Sequence, residues 1–326
     1  MQSVADPDSV LLTERTFQLV AAEVEAEDRG TISVKGKTRL VRAYRLIGNR
    51  KGGEANRRIS ELTSPLVGRR DQVGAFRNAL DKLLDGSGSV VCITGEAGIG
   101  KSRLLGEAKT TILQERFLWM EGRTLSPGQT ASFWPFQQIL RSYTGILDNE
   151  DPGSAWDKLE SEVGRLFDDR PGDPGSVGAA DIIPYLGSLL GLEPGQRYAR
   201  KLDYLDADAL RKQLFLSCRR YFELLTVGQP TVLVIEDLHW IDESSASLME
   251  HLMPLCERLP LLICGLSRPD PEGHGTRLRE LAALRHGGHF TEIRLAGLSA
   301  SETAELAGNL LGDRNLPVGF TDMVFE

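Results

Sequence analysis

Eight consecutive residues, Gly95-Glu96-Ala97-Gly98-Ile99-Gly100-Lys101-Ser102, combine glycines, a lysine and a hydroxyl at the spacing of a phosphate-binding loop. Glycines let the backbone turn its N–H groups toward an anion without Cβ clashes. Lys101 supplies a point charge for the β and γ phosphates of a nucleoside triphosphate, and Ser102 a hydroxyl for Mg²⁺. Arg103 follows directly and is grouped with the loop among the nucleotide-contacting residues.

Such a loop needs a second group, a carboxylate at the end of another buried strand, to hold Mg²⁺ and prepare water. Val232-Leu233-Val234-Ile235-Glu236-Asp237 has that form, and Asp237 lies 136 positions after Lys101. That separation leaves room for an extra strand between the two. One acid is expected to act on Mg²⁺ through its water shell and the other to orient or deprotonate the attacking water. The residues leave open which does which; Asp237, with Ser102, is taken first for the metal. Leu261–Arg268 reads as a core strand ending in Ser267-Arg268, which puts Arg268 in reach of a γ-phosphate that a guanidinium can grip in bidentate fashion. Leu66-Val67-Gly68-Arg69-Arg70-Asp71 precedes an amphipathic helix and is expected to fold over base or ribose, with Arg69 as the contact. His239-Trp240 either lines the site or packs, and Asp242 is expected to cap a helix.

The elements that must carry these residues follow from periodicity. Val90–Thr94 reads as a buried strand leading into the loop, and Lys101–Gln114 as the helix leading out, its positive N-terminal end aimed at the anion. A helix near Asp71–Leu84 comes before them. Further strands are expected at Phe117–Glu121, Thr231–Ile235, Leu261–Leu266 and Phe290–Leu295, separated by helices. That order predicts an α/β fold: three α/β/α layers around a mainly parallel sheet. Asp148–Gly195, rich in Gly, Pro and Asp, is expected to be a helical insertion with loops.

Residues 1–48 differ in style. Thr13–Ala22 reads as a short helix, and Thr31–Lys35 with Leu40–Ile47 as a hairpin around Gly36-Lys37. Such a unit is too small to enclose a core, so it is expected to be the remnant of a larger domain. A linker is expected over 49–63 and the main domain over 64–320.

The 326 residues are 41% hydrophobic and 26% charged, as suits a folded soluble protein. A formal net charge of -8 repels phosphate backbones and anionic lipid, which disfavours nucleic acid as a partner; Arg57 and Arg58 read as a solvated linker. Cys92, Cys218, Cys256 and Cys264 stand singly in apolar or helical stretches, as reduced thiols do. No apolar run approaches the ~20 residues that span a bilayer, and the N-terminus lacks the layout of a signal peptide. The expected location is cytoplasmic.

Several motifs in order, Val67-Gly68-Arg69-Arg70, Gly95 through Leu104, Phe133-Trp134-Pro135-Phe136, Ile235 through Asp242 and Ser267-Arg268-Pro269-Asp270, resemble bacterial AAA-type or STAND-type regulatory ATPases. The resemblance covers most of 64–320, with Glu236 where many relatives carry Asp. It implies an ATP-dependent signalling switch that controls an effector domain and is often followed by helical repeats. Residues 9–17 and 34–46 are similar to the last helix and hairpin of a class III adenylate/guanylate cyclase. The metal-binding aspartates of that family and its transition-state Asn and Arg are missing, so no cyclase activity is expected of this chain. The resemblances together imply a piece cut on both sides from a cyclase–ATPase signalling protein, its partners being ATP, the missing cyclase domain and a downstream helical-repeat region. The alternatives are a nucleotide cyclase forming cyclic AMP in the full-length parent, and an ATP-dependent transcriptional regulator of the same ATPase group.

Overall fold

The computed structural model describes residues 10–21, 24–32, 41–49, 64–111, 116–126, 131–168 and 177–311. The expected Gly36-Lys37 turn, all but the first residue of the 49–63 linker with Arg57 and Arg58, and the chain after 311 lie outside the described residues. Two compact units result: Gly68–Ser299, and the described residues up to Val67 together with those from Ala300.

In the N-terminal part, β1 (Leu11–Thr13), α1 (Glu14–Val20), β2 (Val24–Ile32) and β3 (Val41–Asn49) form an antiparallel sheet in the order β1-β3-β2 with one helix. Thr13 caps α1 by accepting from the Thr16 N–H at 3.2 Å, and Phe17 stacks on Tyr44 with centroids 4.1 Å apart. The hairpin begins earlier than expected: β2 starts at Val24 and pairs it with Asn49, while the expected strand was Thr31–Lys35. Its polar run Glu25–Arg29 hides it from a search for apolar alternation. Those charges are matched across the ladder instead, Asp28 by Arg42 at 2.5 Å and Glu27 by Arg45 at 3.2 Å. β1 was also not foreseen.

The larger unit is built on five parallel strands in the order β5-β6-β7-β4-β8: β4 (Ser89–Thr94), β5 (Leu118–Arg123), β6 (Thr231–Glu236), β7 (Leu261–Ser267) and β8 (Phe290–Arg294). Every residue of β4 and β7 is buried. That is possible only if both faces are covered, and it explains why these strands read as unbroken apolar runs. The strand between the loop-bearing β4 and the acidic β6 in space is β7, which comes after both in sequence; β5 lies at the far edge.

Helices α2 (Arg70–Leu84) and α3 (Lys101–Thr111) flank β4. Between β5 and β6 the chain runs through α4 (Trp134–Thr144), α5 (Pro152–Asp168), α6 (Ala179–Leu189), α7 (Gly195–Leu202) and α8 (Ala207–Gly228), of which α5 and α6 fall in the helical insertion expected over Asp148–Gly195 and the others extend it on both sides. Its core includes Phe136, Leu159, Leu186, Tyr221 and Phe222, each at most 2% exposed. After β6 come a 3₁₀ turn, Leu238–Trp240, and α9 (Glu243–Leu252), capped by Asp242, which accepts from the Ser245 N–H at 3.0 Å. Next are α10 (His274–Arg285), between β7 and β8, and α11 (Ala300–Leu311) after β8. All four cysteines are free and buried. Among the described residues, no helix is long and apolar enough to cross a membrane.

Candidate functional site

β4, fixed on both sides by parallel neighbours, delivers the chain to Gly95 at its carboxyl end, where ligands of open α/β sheets bind. The Gly95 N–H donates to the Ser267 carbonyl at 3.2 Å, and the Leu295 N–H to the Thr94 carbonyl at 2.8 Å, so the loop starts between the ends of β7 and β8. A Cβ on Gly95 would stand 2.9 Å from Leu295 O and Ile99 Cγ2. Gly98 and Gly100 have φ of 72° and 100°, which residues with a Cβ rarely adopt. The motif's glycines are therefore required by the loop's path.

Lys101, the first residue of α3, turns its ammonium back onto the loop, 2.7 Å from Gly95 O and 2.8 Å from Glu96 O. It fills its hydrogen bonds with carbonyls where a phosphate would offer better acceptors. Burial holds its pKa below the usual lysine value, and Arg268 adds to this, while Asp237 and Glu96 oppose it. Ser102 and Arg103 are exposed on the next positions of α3, and Glu96, Ala97 and Gly98 are exposed on the loop.

Asp237 follows β6 with φ 55° and ψ 37°, a left-handed conformation that costs a non-glycine residue about 1 kcal/mol and that Asp tolerates better than most. It is held there by Thr124, whose hydroxyl donates to Asp237 O at 2.6 Å and whose N–H donates to Glu236 O at 3.1 Å. The two acids share Arg123 unequally. Asp237 is the one whose charge acts on Lys101, whereas Glu236 accepts from the Arg123 guanidinium at 2.5 Å. Arg123 also approaches Asp237 at 3.4 Å. Glu236 raises the Arg123 pKa further.

Arg123 was not picked out from the sequence, because the expected strand stopped at Glu121. A cation at the very end of a strand beside the acidic one was the available signal. Its N–H is fixed by Gln138 Oε1 at 2.8 Å, and its side chain, with those of Glu121, Trp134, Gln138, Arg141 and Glu236, lines an open cleft of about 510 Å³. No residue of Gly95–Ser102 lines that cleft.

Arg268 follows β7 and lies over the Trp240 ring at 5.6 Å; its charge reaches both Lys101 and His239. Arg69 is buried, and its Nη2 donates to Ala296 O at 2.6 Å, tying the start of α2 to the segment after β8. Burial pushes the His239 pKa down, against the pull of Asp237. Lys101, Asp237 and Arg268 thus belong to one electrostatic neighbourhood, while Glu236 is turned toward Arg123.

Mg²⁺ keeps several waters and takes one or two protein oxygens plus substrate phosphates. The hydroxyl of Ser102 and the carboxylate of Asp237 fit such a hard-oxygen set, and Asp237 is not committed to Arg123 in the way Glu236 is. Among the described residues, no cluster of three or more His, Cys, Asp or Glu could form a protein-only metal cage.

Residues 65–264, more than half of the chain, match the family described as AAA ATPase domain. An uncharacterized protein of Rhizobium meliloti (strain 1021) is 28% identical over 272 residues, 82% of this chain and 25% of its own length. The chain thus spans about a quarter of the length of that curated relative. Among solved structures it is similar to the ORC2 protein of Aeropyrum pernix in its ADPNP-ADP complexes, with 12% identity and a TM-score of 0.39 over 76% of this chain and 53% of that one. It is also similar to a Signal Transduction ATPase with Numerous Domains carrying a tetratricopeptide repeat sensor, from Pyrococcus horikoshii. There the identity is 16% and the TM-score 0.34, over 81% of this chain and 28% of that one.

Proposed function

The chain belongs to the AAA ATPase domain family, and we propose that it is a regulatory module that binds Mg·ATP and hydrolyses it slowly, its nucleotide state serving as the signal. The observation that carries this reading is the Gly95–Ser102 loop at the end of β4, with its two left-handed glycines and with the Lys101 ammonium on loop carbonyls that phosphate oxygens would replace.

On this reading the loop N–H groups and Lys101 take the phosphates, and Ser102 and Asp237 hold Mg²⁺. When bound, the ion neutralises charge on the β and γ phosphates. Glu236 serves the attacking water once it leaves Arg123, and Arg268 steadies charge on the terminal phosphate. The engagement of Glu236 by Arg123 is what supports slow turnover. Arg103, exposed on α3, joins the nucleotide contacts, and Arg69 does so once its guanidinium leaves Ala296 O.

We further read residues 1–48 as the end of a class III cyclase domain, and the whole as part of a cytoplasmic cyclase–ATPase signalling protein continued by helical repeats. Support comes from the residues at 9–17 and 34–46 and from four cysteines held as buried free thiols. Sequencing the reading frame beyond both ends tests this: a cyclase domain upstream supports it, and a DNA-binding domain downstream without one favours the transcriptional regulator.

Calorimetric titration with Mg·ATP tests the main reading. Saturable binding is expected in the native chain, with at least about tenfold loss in a folded Lys101→Ala variant, the scale of a charge-assisted contact. No binding by the folded native chain overturns it.

A further inference from the structure

His239 sits on the 3₁₀ turn Leu238–Trp240, directly after the left-handed Asp237. It is only 9% exposed, and neither Nδ1 nor Nε2 has a hydrogen-bond partner. An imidazole in any protonation state carries at least one N–H donor. A buried donor and acceptor left unpaired are unfavourable, and native proteins retain them where a ligand, an ordered water or a second state supplies the partner.

The backbone of the turn is held on two sides, so the imidazole itself must swing to reach a partner. α10 lies against it so closely that a Cβ on Gly275 would stand 2.6 Å from Leu238 O and 3.2 Å from His239 Cα. On the other side Thr124 holds Asp237 O. The imidazole packs on Trp240 with centroids 4.6 Å apart, and Arg268 lies over the same indole. The charges that act on His239 are those of Asp237, Arg268, Lys101 and Asp270. The orphan ring therefore lies within the field of Lys101, whose ammonium rests on the Gly95 and Glu96 carbonyls.

We propose that His239 is a contact for the terminal phosphate of the bound triphosphate, its N–H donating to a γ-phosphate oxygen, so that ATP and ADP leave the His239 side chain in different states. This rests on the reading that the loop binds ATP. The loop N–H groups take the inner phosphates at the start of α3. The group left to face the ends of β7 and β6, where Arg268, Asp237 and His239 lie, is the terminal one. Through Trp240 the imidazole and Arg268 report the same event. ADP offers no oxygen at that position and leaves His239 unpaired.

Titrating the native chain, His239→Leu and His239→Gln with Mg·ATP and with Mg·ADP tests this. Expected are about tenfold weaker ATP binding in His239→Leu, the loss of one good hydrogen bond to a charged group, with ADP binding unchanged. His239→Gln, which keeps an N–H donor, should retain most of the preference. Without nucleotide, His239→Leu should melt no lower than the native chain, because the unpaired polar atoms are gone. In the native chain, the imidazole resonance assigned by its absence from His239→Gln should move with Mg·ATP and stay with Mg·ADP; this needs no Leu variant. An unchanged ATP/ADP ratio in His239→Leu, equal loss of both nucleotides, or an imidazole that responds alike to both overturns the proposal. If the native chain binds neither nucleotide, the loop reading falls and takes this with it. Binding that Lys101→Ala abolishes, with a ratio indifferent to His239, removes this proposal alone.

Discussion

Arg123, the last residue of β5, holds Glu236, the last residue of β6, through a 2.5 Å hydrogen bond between guanidinium and carboxylate. The two are 113 positions apart and meet because β5 and β6 pair in parallel register, Arg123 opposite Glu236. Arg123 is 63% exposed, so the pair sits at the high-dielectric end of the range and biases Glu236 without locking it.

An exposed pair of this kind is worth about 0.2–1 kcal/mol. Arg123→Gln should therefore raise ATP turnover by at most about fivefold, with Mg·ATP affinity unchanged. Steady-state phosphate release beside calorimetry checks this. A turnover that falls instead would mean that Arg123 takes part in hydrolysis.

Asp237→Asn should leave the fold intact, because Asn tolerates the left-handed conformation as well as Asp does. It should remove the part of ATP affinity that depends on the metal. In the native chain, chelation of Mg²⁺ should weaken ATP binding; in Asp237→Asn the affinities with and without chelator should converge. A full Mg²⁺ effect in the variant would shift the metal role to Glu236.

Far from the site, the Glu150 carboxyl is held down to about 2, first by Lys158, then by the Ser154 hydroxyl and the Leu147 N–H. A carboxylate whose folded pKa is depressed stabilises the fold above its unfolded value and loses that contribution as pH falls toward the folded one. Glu150→Gln should therefore lower the melting temperature at neutral pH, and the gap to the native chain should close as pH falls below about 4.5. Melts taken over that range decide it; a gap that stays constant would place the effect in packing.

Much of the nucleotide unit was legible in the residues. The strands at 90–94, 231–235 and 261–266 were identified because both their faces are buried, leaving runs that stand out against helical periodicity; the one at 290–295 was legible although it is a half-buried edge strand. The loop was legible because phosphate chemistry allows few residue types at fixed spacing, and those glycines are the ones that adopt positive φ or admit a close backbone. β2 was misplaced because its charges are satisfied across the ladder and mimic a loop.

What the sequence by itself determined is local: strand, turn and helix around Gly95–Ser102, the Asp242 cap and the acidic end of β6, each specified by neighbours within a few positions. Tertiary structure alone decided the rest. It set β7 between β4 and β6, which brings Arg268 to Lys101. It gave the two adjacent acids unequal shares of Arg123, Glu236 at 2.5 Å and Asp237 at 3.4 Å, with the charge of Asp237 also acting on Lys101. It also enclosed His239 between a turn and a helix that begins 35 positions later. The physical reason is that strand order and side-chain partners across strands depend on which buried surfaces meet, a long-range choice that no single stretch of chain encodes.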